Sequence, residues 1–214
     1  MPTSGQQPLL GSAAEDASAI QAAVAVADPE QALETLARDV VGECRRCRLC
    51  QARSRVVFGV GDPRAELMFV GEGPGADEDR QGEPFVGRAG QLLDKIIAAM
   101  GLTRPEVYIG NVVKCRPPEN RAPMPDEAAT CMPFLAAQIA IIRPRVIVAL
   151  GRVAVEALIG DAVRSMSSAR QRWFDFDGIP IKPTYHPAYL LRNPAAKRPV
   201  WDDMQEVMSR LAER

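Results

Sequence analysis

The chain has 214 residues, of which 47% are hydrophobic and 25% charged, and its net charge is −1. That balance belongs to a globular protein able to bury a full core, and it argues against a globally basic nucleic-acid binder, although an average hides local patches. No apolar run approaches the roughly 18 residues that a membrane helix needs. Met1 to Leu10 carries no basic segment ahead of an apolar stretch, so no membrane and no secretory signal are expected, and the cytoplasm is the default compartment.

In chain order, residues 1–27 are rich in Ala, Gln and Ser with few large apolar side chains. They read as a disordered or weakly helical extension, ahead of a single domain over residues 28–214. A helix is expected from Asp28-Pro29, with aspartate as the N-cap, proline at the first helical position and Gln31 at the third. Leu33, Leu36, Val40 and Val41 form its apolar stripe. Between Cys44 and Arg55 stand Arg45, Arg46, Arg48, Arg53 and Arg55 without one acid. The planar fork of arginine suits phosphate, and a solvated face is the plain alternative.

From Glu66 onward strands and helices alternate. Leu67–Val70 predicts a buried strand that ends in the turn Gly71-Glu72-Gly73-Pro74-Gly75, and Gln91–Met100 predicts an amphipathic helix. Val107–Ile109 reads as a second strand running into Asn111. Asp126–Ile142 reads as a helix carrying Cys131, with a kink expected at Pro133. Val146–Leu150 is a third strand, stopped by Gly151 and followed by a helix over Val153–Ile159. Trp173–Lys182 looks like a hairpin around Asp177-Gly178. A strand then delivers Tyr185-His186-Pro187, and Pro199–Leu211 closes the chain as a helix. Such alternation predicts an α/β protein, a mostly parallel sheet between helix layers. Ligands of such sheets sit at the carboxyl ends of the strands, where Gly71–Gly75, Asn111 and His186 would converge.

Four of the five cysteines form two pairs, Cys44 with Cys47 and Cys115 with Cys131. The wide gap between the pairs excludes a small local zinc knuckle. Two distant segments would have to meet around one soft centre held by thiolates alone. Cys50 extends the first pair to C-x2-C-x2-C, a spacing that iron–sulfur clusters also use. Reduced structural cysteines, structural zinc and a four-iron cluster all fit this spacing. Disulfides are not expected in a chain with no secretory character.

Gly71 to Ala76 satisfies G-x-G-x-x-[GA] formally, but a dinucleotide site is disfavoured. Pro74 removes an amide, and Asp77, Glu78 and Asp79 would repel a pyrophosphate. The loop suits close approach of a substrate to the backbone, with Glu72 and Glu78 offered as carboxylates, or it is a plain strand-to-helix turn. His186 is the only histidine in the chain, which excludes any relay or metal cage needing two. Phe85 either joins the core or stacks on a flat ligand. Asn111 either caps a helix or presents a paired donor and acceptor to a base edge.

Four ordered segments carry a resemblance: Gly71–Gly75, Gly82–Gly90 (GEPFVGRAG), Asn111–Arg121 (NVVKCRPPENR) and His186–Pro194 (HPAYLLRNP). Together they resemble the iron–sulfur uracil-DNA glycosylases, family 4 of that superfamily, over roughly Cys44 to the C-terminus. The resemblance implies a three-layer α/β/α sandwich with a short, mostly parallel central sheet. It implies a monomer that flips uracil out of single- or double-stranded DNA and hydrolyses its N-glycosidic bond, initiating base excision repair. A 4Fe-4S cluster would be held by Cys44, Cys47, Cys115 and Cys131, with Cys50 outside the ligand set. Phe85 would stack on the uracil and Asn111 would read its polar edge. His186 would donate to the uracil O2, and Glu72 would position water or stabilise the sugar cation. The best-known glycosylases have an aspartate where this chain has Gly73, which places the burden on Glu72, with Glu78 second. Leu190 or Leu191 would fill the gap left in the base stack. Relatives that bond covalently to uracil-DNA carry a histidine-bearing loop after the asparagine motif, and this chain has none, so turnover by water is expected. A non-catalytic iron–sulfur protein that binds uracil-containing nucleic acid, and a zinc-stabilised hydrolase of another planar substrate, are the rival readings.

Overall fold

A computed structural model describes residues 13–42, 44–160 and 163–213. The alternation of side chains along the strands decides the architecture. In β2 (Leu67–Gly71), β3 (Tyr108–Asn111) and β4 (Val146–Leu150) every residue is buried, as strands covered on both faces must be. Met68, Val70, Ile147 and Ala149 point to one core, while Leu67, Phe69, Val146 and Val148 point to the other. Helices α2 (Pro29–Thr35), α5 (Pro125–Ile142) and α6 (Arg152–Ile159) fill the first face. Helices α4 (Arg88–Ala99), α8 (Pro187–Arg192) and α9 (Lys197–Ala212) fill the second. The expected three layers are therefore present.

The sheet has six strands in the order β1-β3-β2-β4-β6-β5, with β1 at Val60–Gly61, β5 at Phe174–Phe176 and β6 at Ile179–Thr184. The four central strands run parallel, and the short edge strands β1 and β5 run antiparallel. The expected hairpin is β5–β6. Asp177 and Gly178 both have positive φ, 50° and 84°, the conformation a tight two-residue hairpin turn demands.

Several elements depart from the sequence reading. The N-terminal segment contains helix α1 (Ala13–Val24), packed against α5, with Ala23 fully buried and Ile20 and Val24 against the core. Only residues 1–12 of the expected extension lie outside the described residues. The Asp28 cap holds as expected, its carboxylate accepting from the amides of Glu30 and Gln31 at 3.1 Å each, but the helix changes to π geometry over Leu36–Val41. Helix α5, by contrast, spans Pro125–Ile142 with Pro133 inside it, close to the expected range. The acidic run after Gly75 begins the short helix α3 (Ala76–Gln81), whose positive end favours Asp77, Glu78 and Asp79. A four-residue turn of helix, α7 (Met166–Ala169), precedes the hairpin.

Candidate active site and cysteine cluster

The chain passes from β2 to β3 on one side, then crosses back to β4 on the other. The loops leaving β2 and β4 thus splay apart and open a crevice at the strands' carboxyl ends. A cleft of about 490 Å³ lies there, and Glu72, Gly73, Glu78, Phe85, Asn111 and His186 all line it.

Asn111 ends β3 with only 2% of its surface exposed, and its Oδ1 is a buried acceptor without a hydrogen-bond partner among the described residues. Leaving such an atom unpaired costs about 1–3 kcal/mol, and it belongs to a residue that lines the cleft. Phe85 comes from the loop between α3 and α4, with φ at 54° and its ring 5.5 Å from the His186 imidazole at 30°. Gly71 makes the meeting of these groups possible. A Cβ there would stand 2.5 Å from both Asn111 Oδ1 and Phe85 Cζ. At Gly73, a Cβ would meet Val113 Cγ2 at 2.6 Å, so a side chain there would require Val113 to shift.

The two glutamates have different surroundings. Glu78 Oε1 accepts from the amides of Val86 (3.0 Å) and Gly87 (2.9 Å), and Oε2 accepts from Gly75 N at 3.0 Å. It ties the first loop to the loop of Phe85. The Glu72 side chain makes no hydrogen bond or ion pair among the described residues, and burial alone lifts its pKa above the usual 4.5.

His186 caps α8, its Nδ1 accepting from Ala188 N at 3.1 Å. That bond leaves the hydrogen of the neutral ring on Nε2. Burial, then the Arg192 cation, lower its pKa to about 4 against the opposing pull of Glu78. The ring is thus a neutral donor at pH 7. Arg192 is exposed at the cleft rim; the sequence reading passed over it, although it lies in the quoted HPAYLLRNP segment. Leu190 is buried in the core at 1% exposure and cannot enter a base stack, whereas Leu191 is 39% exposed.

All five cysteines line one small cavity, together with Arg53 and Lys114. Arg53 Nη1 donates to Cys115 Sγ at 3.1 Å, and the amide of Lys114 donates to Cys131 Sγ at 3.3 Å. Donors of this kind favour thiolates. Burial works against them, lifting Cys115 to about 11 and Cys131 to about 12, so only a bound cation would make four thiolates favourable here. Among the described residues no three His, Cys, Asp or Glu side chains are grouped as a single ion would need. Five thiols around one cavity, two of them accepting from Arg53 and from the Lys114 amide, make a soft all-sulfur donor set of the kind that thiolate-bound metal centres use. Cys50 also borders an open surface hollow with Arg45 and Arg55. The buried Glu127, gripped by Arg121 at 2.8 Å and by Arg48 at 3.1 Å, fastens the segments beside Cys47 and Cys115 to the helix of Cys131. Lys114, fully buried, reaches Asn111 O at 2.8 Å and Gln138 Oε1 at 2.5 Å, joining the cysteine segment to the cleft.

Of the five arginines in the cysteine segment, three are engaged within the protein. Arg46 lies over the Phe134 ring, Arg48 pairs with Asp126 and Glu127, and Arg53 bonds Cys44 O and Cys115 Sγ. Arg45 and Arg55 are exposed to solvent. Among the described residues no helix is long and apolar enough to cross a membrane.

Comparison with known proteins agrees with this geometry. The model of the uracil DNA glycosylase superfamily matches residues 58–205. The type-4 uracil-DNA glycosylase of Thermotoga maritima is 46% identical over 79% of this chain and 90% of its own length. That of Sulfurisphaera tokodaii is 43% identical over 82% of this chain and 83% of its own. A type-5 uracil-DNA glycosylase of Thermus thermophilus matches less of the chain, 56%, at 37% identity. The order of the four segments, the cleft they build and these likenesses lead to one assignment: the chain belongs to the uracil-DNA glycosylase superfamily, among its type-4 members.

Proposed function

We propose that this protein excises uracil from DNA, flipping the base into the cleft and hydrolysing its bond to deoxyribose to leave an abasic site, the opening step of base excision repair. The observation that carries this reading is the unpartnered, buried Oδ1 of Asn111 beside a neutral His186. A uracil edge offers an N3–H donor to the first and an O2 acceptor to the second. A cytosine edge presents a lone pair at N3 instead of a hydrogen, and two acceptors would then face each other.

The chemistry follows from charge. As the N-glycosidic bond breaks, the bonding pair leaves with uracil and positive charge develops on the sugar. His186 Nε2–H stabilises the anion at O2, a role in which one well-placed donor is worth roughly 3–4 kcal/mol. Glu72, whose carboxylate has no partner among the described residues, is the group to face the sugar cation and orient the water. The water's oxygen bonds to C1′ and its proton ends on the departing base. Phe85 stacks against the flipped ring. Glu78 acts through the loops it ties together.

Cys44, Cys47, Cys115 and Cys131 would hold a 4Fe-4S cluster, with Cys50 on the outer side. The all-thiol cavity and the two donors to sulfur support this. When bound, the cluster supplies a covalent tie between segments distant in sequence, and no step of base release passes through it.

The test is release of uracil from single-stranded and duplex oligonucleotides, followed by cleavage at alkali-labile sites. Base release that disappears with Asn111→Ala supports the reading. Tight binding of uracil-DNA without base release would make the protein a uracil-binding module instead.

A further inference from the structure

We infer that Arg104 is a positioning residue for Phe85, setting the angle of the stacking ring from outside the cleft. The inference rests on the stacking role proposed above. Phe85 has a φ of 54°, a conformation that a bulky side chain avoids and keeps only where its surroundings over-determine it. Those surroundings are visible on both sides of the residue. Arg104, in the short 3-10 turn just before β3, directs its guanidinium at two consecutive carbonyls. Nη2 donates to Pro84 O, and Nη1 donates to Phe85 O at 3.3 Å. The same guanidinium is fixed by Asp94 at 2.9 Å and Glu83 at 3.3 Å. Opposite it, Glu78 collects the amides of Val86 and Gly87.

The oxygens of both peptide units flanking Phe85 are thus held by one cation, while an anion holds the nitrogen of the second unit and that of the unit after it. Helix α4 closes the remaining space, since a Cβ on Gly90 would stand 1.8 Å from Phe85 O. Arg104 does not line the cleft, and its side chain is 21% exposed. Its influence on the base therefore passes through the backbone of Phe85. Lysine cannot substitute for it, because one ammonium cannot reproduce a planar fork that spans two carbonyls and two carboxylates.

A double-mutant cycle on the intact protein tests this, using two DNA probes. One carries an uncleavable 2′-fluorinated deoxyuridine, which presents a base to Phe85, and the other carries a tetrahydrofuran abasic site, which does not. Arg104→Met should weaken binding of the fluorinated probe about tenfold and of the abasic probe less than about twofold. Phe85→Ala should show the same contrast, and the double variant should bind no more weakly than Phe85→Ala alone, as expected for residues acting as one unit. Should Arg104→Met fail to fold, Arg104→Lys carries the test, with a loss of about threefold expected on the fluorinated probe only. Equal losses on both probes, no loss, or additive losses in the double variant overturn the inference. If Phe85→Ala itself binds both probes like the parent protein, the stacking role fails, and the positioning role with it.

Discussion

The proposed mechanism needs two groups of different charge in the cleft, and their titrations can be separated. Glu72 has to be ionised to face the sugar cation, and burial lifts its pKa above 4.5. His186 has to be neutral, and burial with Arg192 lowers its pKa to about 4. As pH falls, Glu72 takes its proton first, so the acid limb of the wild-type rate belongs to Glu72. Glu72→Gln should lower the single-turnover rate and abolish that limb. The residual rate of this variant should stay level from about pH 8 to about pH 5. At pH ~5.5 an imidazole titrating near 4 is ~97% neutral, whereas one titrating near 6.5 is only ~9% neutral, a difference of about tenfold in rate. The assay is uracil release under single-turnover conditions with enzyme in excess. A limb near pH 6–6.5 in Glu72→Gln would refute the neutral donor. The same shift bears on stability. The folded value lies below the unfolded value of about 6.5, so the unfolded chain takes the proton first. Stability present above about 6.5 is lost as pH falls from there through 4, by up to ~3 kcal/mol for a shift of about 2.5 units. Replacing His186 with Gln should remove this component from the pH dependence of the urea midpoint.

Cys50→Ser should leave iron content and the visible spectrum unchanged while Cys131→Ser bleaches both; the reverse pattern would displace the ligand assignment. Gly71→Ala drives a methyl group against Phe85 and Asn111, so it should raise KM for uracil-DNA and cost roughly 1–3 kcal/mol of stability by overpacking, read from kinetics and thermal unfolding. Arg45→Gln with Arg55→Gln should weaken DNA binding whatever its sequence and flatten the salt dependence of log K by up to about 1.8, two phosphate contacts at ~0.9 each. An unchanged salt slope with the spectrum intact would return both side chains to an ordinary solvated surface.

Much of the fold was legible because it rests on short-range patterns. The span Val146–Leu150 was read to the residue, since an unbroken apolar run bounded by charge and by Gly151 has few other fates. Asp28-Pro29 announced its helix through capping chemistry that needs no tertiary partner. The misses have the opposite character. Helix α1 has few large apolar residues, and small ones such as Ala23 become core only because α5 lies across them. Leu190 and Leu191 are indistinguishable as letters, yet α8 turns one into the core and the other to solvent.

The site divides in the same way. Residue types and their order in the four segments already pointed to Glu72, Phe85, Asn111 and His186, because each carries its chemistry in its own side chain. Which groups are spent and which stay available was decided only by folding. The residues alone offered Glu72 and Glu78 alike as carboxylates and only the resemblance ranked Glu72 first; three amides from two loops occupy Glu78, and among the described residues none reaches Glu72. The arginine run was uniform until Glu127, Phe134 and Cys115 claimed three of its members. Arg104 had no signal at all, since its partners are the main-chain carbonyls of Pro84 and Phe85, some twenty residues earlier. A side chain's identity travels with the sequence, but its partners are set by long-range packing, and here packing separates the groups that can act from those that hold.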